Sequence, residues 1–131
     1  MFDINPADAT PIWKQIEDGM RRMIALGTLR PGEPVPSVRD LAKSLRVNPN
    51  TVARSYQRLT DHGVFVVRRG EGTYVADEPT KPKQSESDAK LRAAAGVYAG
   101  AALAVGATLD EATAELESNY ERLIQEHRRT V

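Results

Sequence analysis

The sequence predicts a mainly α-helical protein carrying one small β-hairpin. Three observations predict it. Apolar residues recur at helical spacing in four separate stretches. Two of these stretches, within residues 37–63, are joined by only a few residues. A short run of β-branched and aromatic residues, interrupted by two glycines, comes directly after them.

Residues 1–10 read as irregular. Thr10 is the expected N-cap of a first helix, with Pro11 in its opening turn. Ile12, Ile16, Met20, Met23 and Ile24 form one stripe along that helix, and Gly27 is its stop signal. The prolines Pro31, Pro34 and Pro36 then forbid regular helix, and Pro31-Gly32 reads as a turn. Ser37 opens a second helix whose inner face is Leu41, Ala42 and Leu45. Asn48-Pro49 opens a third: Asn caps well, and Pro suits the first helical position. Val52, Tyr56 and Leu59 form its inner face, and Gly63 closes it. Two short helices joined around Arg46-Val47 make a helix-turn-helix. Val64–Arg68 and Thr73–Val75 are the expected strands, with Arg69-Gly70-Glu71-Gly72 as the turn between them. This hairpin is the wing of a winged helix-turn-helix.

Residues 77–87 are polar, contain Pro79 and Pro82, and read as a linker. A helix over residues 88–106 and another from Thr108 follow. Thr108 and Glu111 form a capping box, and Leu109, Ala112, Leu116, Tyr120, Leu123 and Ile124 share one face. The expected organisation is a winged domain over residues 1–76, a linker over 77–87 and a two-helix tail over 88–131. Two such helices cannot bury a core alone. Leu109, Leu116, Tyr120 and Leu123 are therefore expected to lie against the winged domain or a second copy, making the protein a homodimer.

Bulk features narrow the function. The chain has no cysteine and two histidines, His62 and His127, so neither a disulfide framework nor a protein-only metal site is expected. The low-charge stretch 93–107 is too short and too weakly apolar for a membrane span, and no signal peptide is visible; a cytoplasmic protein is expected. No Ser-His-Asp order, carboxylate pair or phosphate-cradling loop stands out, so neither catalysis nor a cofactor is expected. Net charge is zero, but residues 37–75 hold seven basic and three acidic side chains, against seven and nine in residues 78–131. A basic centre beside an acidic tail suggests an anionic partner for the centre alone.

Four runs occur in order at compatible spacing. They are Pro11-Ile12-Trp13-Lys14-Gln15-Ile16 with Gly27-Thr28-Leu29-Arg30-Pro31-Gly32-Glu33; Val35-Pro36-Ser37-Val38-Arg39-Asp40-Leu41-Ala42; Val47-Asn48-Pro49-Asn50-Thr51-Val52; and Arg69-Gly70-Glu71-Gly72-Thr73-Tyr74-Val75. Together they resemble the GntR family of bacterial transcription regulators, and the short two-helix tail resembles its YtrA-type branch. Trp13 stands where such proteins often have Tyr.

The resemblance implies a sequence-specific DNA-binding repressor, often of a transporter operon, with double-stranded operator DNA as partner. A helix fits the major groove and reads base edges from its first turns. Asn50, Thr51 and Arg54 lie off the inner face of the third helix and are expected to face DNA, whereas Asn48 is expected only to cap. By resemblance Arg39 contacts DNA. Ser37 can offer its hydroxyl or amide to a phosphate. Arg68 and Arg69 flank the wing tip, where Gly70 lets the backbone approach the sugar-phosphate or minor groove. A small-molecule effector of unknown identity is expected where the tail meets the winged domain, on the small residues of 93–107; constitutive repression is the alternative. The other class of function is an adaptor whose winged helix binds a protein instead of DNA.

Overall fold

The computed structural model describes residues 1–129. Its elements are α1 (Ile12–Ala25), α2 (Val38–Leu45), α3 (Pro49–Asp61), β1 (Phe65–Arg68), β2 (Gly72–Val75), α4 (Gln84–Ala104) and α5 (Leu109–Arg128). They form two compact units. One comprises residues 1–80 together with residues 125–129; the other comprises Lys81–Ile124.

In the first unit the three helical stripes meet in one core. Ile16, Met20 and Met23 of α1, Leu41 and Ala42 of α2, and Val52, Tyr56 and Leu59 of α3 are buried together with Val64, Phe65 and Val75 of the wing. The helix boundaries follow local chemistry. Ser37 Oγ accepts from the Asp40 amide (3.1 Å), and Asn48 Oδ1 accepts from the Asn50 amide (2.8 Å), so two otherwise orphaned helix donors are satisfied. At the end of α1 the amide of Thr28 returns to the Met23 carbonyl (2.8 Å) across Gly27, whose φ of 75° is easy only without a Cβ. The start of α1 differs from expectation. Pro11, not Thr10, is the N-cap, and it has no side-chain hydrogen bond to give. Gln15 ties this corner instead, its amide nitrogen donating to the carbonyls of Asn5 and Thr10, each at 2.9 Å.

The wing is antiparallel, with Phe65 opposite Val75 and Arg68 opposite Gly72. The proline-rich segment before α2 adds to its edge. Gly32 and Val35 amides donate to Val75 and Thr73 carbonyls (2.9 Å each), and the Val75 amide donates to Glu33 (2.8 Å). Pro34 bridges Tyr74, in an edge position where the missing N–H costs nothing. Tyr56 stitches α3 to this layer: its hydroxyl donates to the Pro36 carbonyl (2.6 Å) and its ring meets Phe65 edge-on at 5.3 Å. Burial pushes the phenol's pKa up, so it stays a donor.

Phe2, in the stretch expected to be irregular, is a buried core residue. Its ring occupies the space a Cβ on Gly19 would need, 2.6 Å from the ring carbons, and stacks on His127 at 5.7 Å. His127 is fully buried, and its Nε2 accepts from Arg22 Nε (3.0 Å).

In the second unit α4 begins at Gln84, inside the stretch expected as linker. Pro82 is the last residue that resists helix, Glu86 favours the first turn, and Gln84 bonds Asp88 one turn on (2.8 Å). The Thr108–Glu111 capping box of α5 forms in both directions, at 3.0 and 3.1 Å. Tyr98 of α4 donates to the Ala112 carbonyl of α5 (2.7 Å). No residue of α4 is buried in the single chain. Among the described residues, no helix is long and apolar enough to cross a membrane.

Candidate nucleic-acid interface

Helix α3 has two rows. Val52, Ser55, Tyr56 and Leu59 are buried; Asn50, Ala53, Arg54 and Gln57 are exposed on the other side. The periodicity that builds the core thereby presents an amide and a guanidinium on successive turns. Asn48 is committed to its cap, so its side chain is not part of that surface. Thr51 is half-buried at the foot of the helix.

Arg39 lies exposed in the first turn of α2, two residues after Ser37, whose hydroxyl is engaged as the cap. Among the described residues Arg39 pairs with neither Asp40 nor Asp61, and Arg54 and Arg69 form no ion pair either. Three cations thus keep their charge uncompensated, as contacts to phosphate or base edges require. At the wing, Arg68 is half-buried, with its guanidinium 4.1 Å above the Tyr74 ring. Arg69 and Gly70 form the exposed tip. Gly70 has φ 78° and open space where a Cβ would stand, so the turn needs glycine for its backbone and leaves room for an approaching surface.

The Arg54 guanidinium, exposed as expected off the inner face, lies 4.8 Å from the centre of the Trp13 ring, and Arg58 lies 4.5 Å from the same ring. Arg58 also donates to Glu17 Oε2 (2.9 Å), and Glu17 faces Arg21 at 3.6 Å and His62 at 3.7 Å. Glu17 is only 4% exposed. Burial works to raise its pKa, but the Arg58 hydrogen bond and the charges of Arg58, Arg21 and Lys14 outweigh that and hold the carboxyl below the usual glutamate range. Trp13 and Arg58 carried no assignment from the sequence. Their helical register was visible there, but not the pairing of α1 with α3 that joins them.

The tail residues assigned to dimerisation are open in the single chain. Leu109 is 81% exposed, Tyr120 66% and Leu116 54%, while Leu123 is half-buried. Leu109 and Leu116 also line an apolar cavity of about 300 Å³ with Tyr98, Ala102, Leu103 and Ala112.

Residues 13–75 match the family described as bacterial regulatory proteins, gntR family. The HTH-type transcriptional regulator Rv1152 of Mycobacterium tuberculosis is 40% identical over 99 residues, covering 75% of this chain and 73% of its own. The chain belongs to the GntR family. The HTH-type transcriptional repressor YtrA of Bacillus subtilis is 40% identical over 77 residues, which cover 59% of this chain and 59% of YtrA, less than two thirds of that relative. Among solved structures, YtrA from Sulfolobus acidocaldarius, a GntR-family transcription factor, is 34% identical with a TM-score of 0.54, covering 92% of this chain and 97% of that one. This likeness spans the winged helix-turn-helix and the tail of this GntR protein alike, and the relatives carry the names of regulators, not of enzymes.

Proposed function

We propose that this GntR protein is a cytoplasmic, dimeric, sequence-specific DNA-binding repressor. The observation that carries the reading is the exposed row of α3, Asn50 and Arg54, set opposite the buried row that fixes the helix in the fold. Asn pairs two-pronged with adenine and Arg with guanine in the major groove. Arg39 and the α2 N-terminus at Ser37 hold phosphate, and Arg68, Arg69 and Gly70 bring the wing to the backbone or minor groove.

Dimerisation runs through the tail. On the apolar face of α5, Leu109, Leu116 and Tyr120 are exposed in the single chain, with Leu123 half-buried beside them. A second copy covers it, and a two-fold pair of winged domains reads two half-sites. The resemblance to YtrA-type regulators, often repressors of transporter operons, makes such an operon the proposed target. An effector of unidentified chemistry would act by binding two arrangements of the pair unequally. A thermal-shift screen of small metabolites, coupled to operator binding, tests that part. The DNA-binding reading is tested by titrating labelled duplexes against salt. Affinity that falls steeply with salt and depends on sequence supports it, and binding to neither specific nor random duplex removes it.

A further inference from the structure

We propose that Trp13 is a positioning residue for DNA recognition: its indole holds the Arg54 guanidinium oriented, yet un-neutralised, on the exposed row of α3. The proposal rests on the reading of α3 as the helix that meets the groove.

Two columns face each other across the α1–α3 contact. Trp13, Glu17 and Arg21 stand one turn apart on α1; Arg54 and Arg58 stand one turn apart on α3, with His62 at its C-cap. Arg58 occupies the middle rung, gripped by the Trp13 ring and by the Glu17 carboxylate. Its charge is compensated, and its role is to bind the two helices. Arg54 is one turn nearer the N-terminus of α3, where Glu17 does not pair with it; its contact is the Trp13 ring, and among the described residues it forms no ion pair.

That difference is chemical. A carboxylate partner would occupy the guanidinium's N–H donors and cancel its charge, and DNA would have to displace it. A π-face attracts the cation through the ring quadrupole and accepts from none of its edge donors. Arg54 loses rotamer freedom before binding, while its fork stays available for a base or phosphate. The backbone that carries the ring is tied to the same turn: Ser55 Oγ, next to Arg54 on α3, donates to the Trp13 carbonyl (2.8 Å).

The test uses the full chain and a duplex enriched by the wild-type protein from a random pool. Trp13→Phe keeps a π-face and should bind within about twofold of wild type. Trp13→Leu keeps apolar bulk without the quadrupole and should bind roughly two- to fivefold more weakly, with the salt slope unchanged because no charge is lost. In an Arg54→Ala background, Trp13→Leu should cost nothing further. Wild-type affinity for Trp13→Leu overturns the proposal, as does a double variant whose loss is the product of the two single losses. Undiminished affinity and preference for Arg54→Ala is a different failure: it removes Arg54 from the reading row and the assignment beneath the proposal with it. If Trp13→Leu does not fold, the emission of Trp13, the chain's single tryptophan, answers instead. Arg54→Ala should shift that emission in the free protein, and the duplex should then change it much less than in wild type. Identical emission with and without Arg54 overturns the proposal.

Discussion

At the scale of single residues, the arginines assigned to DNA divide by what holds them. Arg54 rests on an indole and Arg68 on a phenol ring, while Arg39 and Arg69 have no ion-pair partner among the described residues. Arg54→Ala should cost about 1–3 kcal/mol of operator affinity and relax preference at one base pair of each half-site. Arg69→Ala should weaken all sequences alike and flatten the salt dependence by about one unit of slope. Selection from random pools with each variant checks the contrast. Gly19 carries a prediction of another kind. A Cβ there would meet the Phe2 ring at 2.6 Å, so Gly19→Ala should destabilise by about 1–3 kcal/mol in denaturant unfolding. Combining it with Phe2→Ala should remove most of the added penalty of the methyl group. Neither Phe2 nor Gly19 was legible in the sequence. A lone aromatic outside any periodic stretch has no pattern to place it, and a mid-helix glycine reads only as a mild helix weakener.

At the scale of elements, periodicity and caps carried most of the information. Ser37, Asn48 and Thr108 cap as their residue types dictate, and the α1 and α3 stripes are the core. What stayed hidden depends on partners distant in sequence. The segment before α2 lies along β2 because of where the wing folds, and its prolines announced only that it was not helical. The turn between α2 and α3 holds Arg46 at φ 58°, a left-handed position that its sequence does not mark with glycine. The α1–α3 clasp has a pH signature. Glu17's folded pKa lies below its ordinary value, so its contribution is present above the unfolded carboxylate range and is lost as pH falls through the folded value. Wild-type stability should therefore decline on acidification more steeply than that of Glu17→Gln, and thermal melts across the acid range measure the difference.

At the scale of the whole molecule, most of the exposed large apolar side chains lie in the tail, from Leu91 to Tyr120. Leu116→Glu and Tyr120→Glu alter side chains that are exposed in the protomer. Each should leave the circular dichroism of the chain intact and shift sedimentation from dimer to monomer, with weaker binding to a two-half-site duplex. Dimeric sedimentation of both variants would place the interface elsewhere. The measurement that bears most directly on the account is selection of duplexes from a random pool by the wild-type protein, followed by binding at several salt concentrations. The account predicts an enriched sequence with two half-sites in inverted repeat, bound with an affinity that falls steeply as salt rises. A pool that yields no enriched sequence, or binding indifferent to salt, would contradict it.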